Sequence, residues 1–203
     1  AFAIGLPTAL YLREYSSKSN FASFIRQSLD VLWGVPSITL GSFIFAVMIF
    51  TGMTACLLAG IAALTLLELP IITRAMDEVI RMVPAKSKEA SYALGAMKLE
   101  TLLNVTIRQA LPGIIAAILL AFGRAVGDAA SVLFTAGYTD SIPSSMFDPV
   151  ASLPLAVFFM LGTPFPEVQK RAYAAGAVLL IFVLSLSVGS RLLTKRFTKY
   201  VIR

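Results

Sequence analysis

Histidine is absent from this sequence of 203 residues, and cysteine occurs once, at Cys56. Without histidine there is no Ser-His or Cys-His nucleophile pair and no histidine metal site. A single cysteine excludes a disulfide framework, and the apolar neighbours of Cys56 indicate inert packing. The sequence also lacks a glycine-rich phosphate loop of the Walker type, so we do not expect this chain to hydrolyse ATP or to bind a cofactor.

Charge is scarce, since only 14% of the residues are charged while 58% are hydrophobic. The mean hydropathy of +0.84 is typical of a membrane protein. A membrane-spanning helix needs about 20 apolar residues. Four apolar blocks approach that length, and a fifth is too short and begins without Met, so we expect an N-terminal portion to be missing. The four blocks are residues 35–50, 53–69, 111–136 and 172–189, and the short one is residues 1–12. The predicted fold is an all-α, polytopic transmembrane helical bundle, a single domain over residues 1–203.

Basic residues, which give the chain its net charge of +6, lie in the connections between the apolar blocks. One set of connections is rich in lysine and arginine, whereas the opposite set holds only Lys170 and Arg171. By the positive-inside rule the rich set is cytoplasmic. This predicts a cytoplasmic C-terminus, and it explains the charge without a nucleic-acid partner. The rich set consists of Arg13, Lys18, Arg26, Arg74, Arg81, Lys86, Lys88, Lys98, Arg108, Arg191, Lys195, Arg196, Lys199 and Arg203.

Arg124 and Asp128 lie inside the apolar block 111–136. A charge near the bilayer centre costs about 2.5–3.5 kcal/mol, so such residues usually face a protein interior, a cavity or a substrate. At helical spacing, Ser131 and Thr135 fall on the same stripe. We therefore predict a substrate pathway lined by these four residues. An ion pair between Arg124 and Asp128 that only holds helices together is the alternative.

The longest connection on the basic side covers residues 77–110. It predicts a short helix that Pro84 starts and Gly95 stops, followed by an amphipathic helix leading into the next span. Small residues near Glu89, namely Ala90, Ser91 and Gly95, would let a partner approach closely. A surface helix without a partner fits the same pattern.

Two further segments flank the predicted spans. Residues 21–33 form an amphipathic pattern ending in Trp33, which suits contact with membrane lipid at the inner surface. Residues 138–167 contain five prolines, too many for an uninterrupted helix. We predict an extracytoplasmic loop there, with a short helix near residues 153–161.

The motif Glu89-Ala90-Ser91, with Gly95 and then Leu111-Pro112, resembles the cytoplasmic EAA loop of ABC importer permeases, which seats in a cleft of the ATP-binding subunit. Residues 11–15, 34–38 and 123–128 are similar to phosphate importer permeases, of the PstA type more than the PstC type. The resemblance covers nearly the whole chain. It departs from the family at Asp128, where the family has Glu, and in the number of spans, which is six in the family.

This resemblance implies a type I ABC importer permease that imports inorganic phosphate across a bacterial or archaeal cytoplasmic membrane. Implied partners are a second homologous permease, an ATPase dimer that binds ATP and Mg, and an extracytoplasmic phosphate-binding protein. The guanidinium of Arg124 suits an oxyanion, and Asp128 could accept a hydrogen bond from a protonated phosphate. A permease for sulfate, molybdate or phosphonate, or a non-transporting structural membrane subunit, remains an alternative. An intramembrane hydrolase is disfavoured because histidine, its usual base, is absent.

Overall fold

All regular secondary structure in the described part of the chain is helical. The computed structural model describes residues 1–15 and 19–198, so the basic residues Lys18, Lys199 and Arg203 lie outside the described residues. The helices are α1 (Phe2–Leu10), α2 (Asn20–Gly34), α3 (Ser37–Thr51), α4 (Leu57–Arg81), α5 (Ala85–Ala93), α6 (Lys98–Thr101), α7 (Ile107–Gly127), α8 (Leu153–Leu161) and α9 (Pro166–Thr198). One π-helical turn, Tyr11–Tyr15, follows α1, and another, Leu102–Thr106, joins α6 to α7.

Within residues 1–15 and 19–198, three helical stretches are long and apolar enough to cross a membrane: Leu57–Arg81, Lys98–Gly127 and Pro166–Leu192. Helices α2 and α3 pass the same test only when they are taken together as one broken span. The predicted count of four spans is therefore reached only with this pair. The reason is the length of α3: its 15 residues extend about 22 Å, short of a hydrocarbon core of about 30 Å.

The chain divides into two compact units. Of the described residues, the first unit contains those of Ala1–Trp33, Leu69–Ala121 and 187–198, and the second contains Gly34–Glu68 and Phe122–Leu186. Helices α4, α7 and α9 each contribute residues to both units. The predicted coupling region lies in the first unit, and Arg124 lies in the second.

The core of the first unit joins α1, the later part of α4 and the early part of α7. Gly113 makes this packing possible, because a Cβ at that position would overlap the side chain of Val79. Gly5 similarly lies against Ile72 and Thr73. The buried apolar residues of this core are Ala9, Ile72, Met76, Ile80, Val83, Ala110, Ile114, Ala117 and Ala121.

The second unit packs the segment after α7 against α3 and α4 at two glycines. A Cβ at Gly41 would overlap the backbone carbonyl of Ser131, and a Cβ at Gly60 would lie 3.0 Å from the Cβ of Ala136. A methyl group is excluded at Gly41 and would be tightly confined at Gly60, so the backbone after α7 lies directly on α3 and α4. Val132, Ala136 and Leu155 form the buried apolar cluster of this region.

The start of α4 is held by the loop residues that follow α7. The amide of Cys56 donates to the carbonyl of Thr135 at 2.9 Å, and the amides of Leu57 and Leu58 donate to the carbonyls of Asp148 and Met146 at 2.8 Å each. These bonds satisfy amide groups that a helix leaves without partners at its N-terminus. Cys56 is buried and free, in agreement with a packing role.

Helix α8 occupies Leu153–Leu161, the residues at which the sequence predicts a short helix. The hydroxyl of Ser152 accepts a hydrogen bond from the amide of Leu155, and Pro154 stands in the first turn. An N-capping serine with proline in the first turn is a favoured helix start.

Candidate functional site

The apolar block 111–136 is not one helix. Helix α7 ends at Gly127, and residues 130–136 form consecutive turns. The cause is Asp128, whose Oδ2 accepts hydrogen bonds from the amide of Ser131, at 2.9 Å, and from its hydroxyl. A short acidic side chain that bonds nearby backbone competes with helical hydrogen bonding. The predicted stripe from Arg124 to Thr135 along a single helix is therefore wrong.

Ser131 and Thr135 are fully buried in the turn segment. The hydroxyl of Thr135 donates to the carbonyl of Ser131 at 3.3 Å. Both residues hold the segment that packs on α3 and α4 in this conformation. Their assignment to a substrate pathway stays a prediction.

Arg124 pairs with Glu68 instead of Asp128. The Nε of Arg124 lies 3.6 Å from Oε1 of Glu68, and within residues 1–15 and 19–198 no ion pair joins Arg124 to Asp128. The side chain of Glu68 is 6% exposed and that of Arg124 is 50% exposed. Neither carboxylate oxygen of Glu68 accepts a hydrogen bond from a described residue. The site therefore contains a buried carboxylate whose nearest cation is only half buried.

Glu68 is not among the site residues that the sequence predicts. It is the single charged residue in the apolar block 53–69. An ionisable residue inside an apolar span is a functional-site candidate on the same physical grounds as Arg124. The sequence therefore contained the signal that could have identified Glu68, namely a lone charge in an apolar block, but that block is a different one from the block that contains Arg124 and Asp128.

An open cleft of about 380 Å³ lies in the second unit. Its walls are almost entirely apolar, and Asp128 and Ser152 are its polar residues; Arg124 and Glu68 do not line it. Such apolar walls do not suit an oxyanion. The lining includes Leu57, Gly60, Ile61 and Leu64 of α4, and Phe122, Ala125 and Val126 of α7. The described residues contain no acidic or cysteine cluster that could hold a metal ion.

The predicted coupling segment 77–110 begins inside a helix, because α4 continues to Arg81. Helix α5 follows Pro84 and stops at Gly95, as the sequence predicts. Gly95 has φ +83°, its amide donates to the carbonyl of Tyr92, and the amide of Ala96 donates to the carbonyl of Ser91. This is a Schellman motif. A Cβ at Gly95 would meet nothing within 4 Å, so backbone conformation is what requires glycine here.

Three of the four predicted coupling residues lie on two sides of α5, and the fourth, Gly95, follows the helix. Glu89 and Ala90 are exposed, whereas Ser91 is half-buried. The hydroxyl of Ser91 lies 2.8 Å from that of Thr101. Ser91 therefore ties α5 to α6, and Glu89 and Ala90 remain accessible. Three large apolar side chains near α5 are also strongly exposed: Met82 at 75%, Leu94 at 90% and Met97 at 74%.

Comparison with known proteins extends these observations. Residues 2–201 match the family described as "Binding-protein-dependent transport system inner membrane component". The phosphate transport system permease protein PstA of Xylella fastidiosa (strain 9a5c) is 36% identical over 194 residues, which cover 95% of this chain and 68% of that protein. PstA 1 of Mycobacterium tuberculosis (strain CDC 1551 / Oshkosh) is 39% identical over 197 residues, which cover 95% of this chain and 64% of that protein.

The fold is also shared with a solved structure, described as inward facing conformations of the MetNI methionine ABC transporter. The TM-score is 0.77 at 20% identity, over 97% of this chain and 87% of that chain. This likeness concerns the fold alone, and it agrees with the predicted type I importer architecture. Because the family match extends over nearly the whole sequence, this chain belongs to the family of binding-protein-dependent transport system inner membrane components.

Proposed function

We propose that this chain is the membrane permease subunit of an ATP-driven importer of inorganic phosphate. The observation that carries the proposal is the set of relatives named phosphate transport permeases, 33% to 39% identical over 92% to 95% of this chain. A separate ATPase dimer would bind ATP and Mg, since the sequence has no Walker loop. An extracytoplasmic phosphate-binding protein would deliver the anion.

Arg124 is the proposed contact for phosphate. Its guanidinium donates no hydrogen bond to any of the described residues, and the side chain is half exposed. The planar fork of N–H donors is therefore free for two parallel bonds to an oxyanion. Glu68, whose Oε1 lies 3.6 Å from Nε of Arg124, would orient the guanidinium and balance its charge in the absence of substrate.

Asp128 is the proposed group that favours phosphate over sulfate. The hydrogen bonds from Ser131 both reach Oδ2. The other oxygen could accept a hydrogen bond from a protonated phosphate, which a fully ionised sulfate cannot offer. Permeases for sulfate, molybdate or phosphonate would share the arginine contact, so Asp128 carries the distinction in this proposal.

A second reading is favoured by one observation, the nearly complete burial of Glu68. Buried charges are costly unless they are paired. Arg124 could then serve only to neutralise Glu68 in a structural subunit that transports nothing. The two readings differ in whether phosphate transport survives when the charges of Glu68 and Arg124 are removed together.

Coupling to the ATPase would use the accessible side of α5. Glu89 and Ala90 offer a charge and a small side chain there, and Leu94 and Met97 offer exposed apolar surface beside them. Apolar side chains surrounded by polar residues are typical of a protein interface. The second permease and membrane lipid would share the apolar surface of α9, of whose span only 6% is buried.

Orientation follows from the basic residues, with α5 and the C-terminus proposed to be cytoplasmic and residues 138–167 extracytoplasmic. Cysteines introduced by Ser141→Cys and Ala85→Cys would test this against an impermeant thiol reagent in intact cells. We expect labelling at position 141 only. Buried Cys56 should give little background, and labelling at position 85 alone would reverse the orientation.

The decisive experiment for the proposed function is uptake of labelled phosphate into proteoliposomes that contain the complete transporter. Uptake should require the binding protein and ATP, and a non-hydrolysable ATP analogue should not support it. Excess sulfate, molybdate or phosphonate should compete poorly. Uptake that ignores ATP would refute the ABC reading, and uptake of sulfate in place of phosphate would refute the substrate.

A further inference from the structure

Helix α5 needs side-chain contacts to hold its position. None of its nine residues is buried, and an isolated helix of this length is unstable in water. The contacts are made by Lys88 and Ser91, three residues apart and therefore on one side of the helix. Ser91 contacts Thr101 of α6. Lys88 reaches a different part of the first unit.

Lys88 forms an ion pair with Glu14, in the π-helical turn Tyr11–Tyr15. The two side chains are only 17% and 12% exposed. Solvent and salt screen such a pair much less than a surface pair. The contact therefore connects α5 firmly to a segment 74 residues earlier in the chain.

A second contact joins the same turn to α6. The Nζ of Lys98 lies 4.4 Å from the centroid of the Tyr15 ring, within the range of a cation–π interaction. Tyr15 in turn stacks on Tyr11, with ring centroids 6.4 Å apart. The α5–α6 segment is thus attached to the Tyr11–Tyr15 turn at both of its helices.

The turn itself is anchored in the first unit. Leu12 is 1% exposed and packs with Ala22 and Leu29 of α2. Nη2 of Arg26 donates to the carbonyl of Leu12 at 2.7 Å. A displacement of α5 would therefore be passed through Glu14 and Tyr15 to α1 and α2.

We propose that Glu14, Tyr15, Lys88 and Lys98 form a coupling strut that positions α5 and transmits its displacement to α1 and α2. The four are positioning residues, and the proposal rests on the docking role proposed above for α5. The strut holds one side of α5 and leaves Glu89 and Ala90 accessible on the other. No other ion pair among the described residues reaches α5.

Charge reversal tests the strut in the complete transporter. Glu14→Lys and Lys88→Glu each place like charges in contact, and the double swap Glu14→Lys with Lys88→Glu restores an opposite pair. In proteoliposomes we expect each single variant to move about tenfold less phosphate per ATP hydrolysed, and the swap to recover most of that loss. ATP hydrolysis per assembled complex should stay near the wild-type rate. Arg108→Glu is the matched control, because Arg108 is exposed at the start of α7 in the same unit, lies outside α5, and makes no ion pair with a described residue.

Three results would overturn the strut: unchanged phosphate per ATP in both single variants, a loss of hydrolysis and transport in proportion to complex yield, or an equal defect in Arg108→Glu. A second measurement does not depend on the substrate. Hydrogen exchange at Tyr11–Tyr15 should change when ATP binds in the wild type and the swap, and not in the single variants. A wild type that shows this change without phosphate uptake would refute the proposed function and leave the strut standing.

Discussion

Two ion pairs, one in each unit, place a glutamate in the protein interior in opposite ways. Glu14 and Lys88 are both largely buried and bonded to each other. Glu68 is more deeply buried still, yet it accepts no hydrogen bond from the described residues, and Arg124 stands 3.6 Å away and half exposed. The first pair is closed and has nothing to offer a ligand. The second is open, so its cation keeps its donors free.

In the proposals above, the closed pair has a mechanical role and the open pair has a recognition role. A closed pair resists displacement because separating it leaves an uncompensated charge on both sides. In an open pair the guanidinium donates no hydrogen bond to the protein. An anion could therefore accept hydrogen bonds from it without first breaking strong ones. Each prediction below tests one side of this contrast.

The largest effect is expected from removing the cation of the Glu68–Arg124 pair. Arg124→Leu leaves Glu68 buried without a cation and should cost up to about 3 kcal/mol, the low end of the range for buried pairs because Arg124 is half exposed. Combining it with Glu68→Leu should recover complex yield in detergent while phosphate uptake stays absent. The matched combination of Arg124→Leu with Asp128→Leu should not recover the yield.

These yields and uptake rates separate the two readings of Arg124. A double variant at positions 68 and 124 that assembles and transports normally would end the pathway role of both residues. Recovery of yield through position 128 instead of 68 would show that the pair in the membrane is Arg124 with Asp128.

Arg124→Lys should have the next largest effect. The charge that neutralises Glu68 is kept, so complex yield should stay close to that of the wild type. The planar fork is lost, and with it one of two parallel bonds to phosphate, which predicts a fall in uptake of roughly tenfold. Uptake and yield falling together would mean that Arg124 acts only as a structural counter-ion.

Substitutions at Gly95 test the C-terminal turn of α5, the helix that the Lys88–Glu14 pair holds. The φ of +83° at Gly95 costs a residue with a Cβ about 1–2 kcal/mol, and Asn less. Gly95→Asn should therefore keep phosphate transported per ATP near the wild-type value, whereas Gly95→Leu should reduce it. Equal coupling in both variants would show that the Schellman turn does not matter for docking. Equal loss in both variants would indicate that docking of the partner tolerates no side chain at position 95.

Asp148 should give the smallest effect, because this half-buried carboxylate lies in a loop whose residues 140–147 are mostly exposed. The hydroxyl of Ser144 and the amides of Ser145 and Ser144 bond to it, and together they lower the pKa of Asp148 below its ordinary value of 3.8. The ionised carboxylate therefore stabilises the loop above that value, and the stabilisation is lost as the pH falls through the lowered pKa.

Hydrogen exchange measures this contribution, since the amide of Leu57 donates to the Asp148 carbonyl. Asp148→Asn should modestly reduce the protection of this amide at neutral pH, with Ser144→Ala giving a smaller reduction. Lowering the pH should reduce protection in the wild type and leave Asp148→Asn almost unchanged. A pH response retained in Asp148→Asn would assign it to another group.

The sequence predicts well what depends on local chemistry. Pro84 and Gly95 fix the bounds of α5, and the serine and proline before residue 155 fix the start of α8. Both elements lie where predicted because capping residues act within a few positions. The all-helical class follows from composition in the same direct way.

What the sequence alone does not provide is the partner of each charge. Helical periodicity pairs Arg124 with Asp128, but Asp128 bonds to Ser131 and ends the helical pattern. Glu68, the partner of Arg124, lies in α4, 56 residues before Arg124 in the chain. Glu14 and Lys88 are 74 residues apart. Such contacts are set by tertiary packing, which no period of 3.6 residues encodes.

The amides at the start of α4 have a further consequence for how an anion can be recognised. Helix N-termini commonly bind phosphate through free N–H groups and the positive end of the helix dipole. Here the amides of Cys56, Leu57 and Leu58 are already bonded to carbonyls of Thr135, Asp148 and Met146. These three amides have no N–H left for a ligand, so recognition of a phosphate near this end of α4 would depend mainly on a side-chain cation.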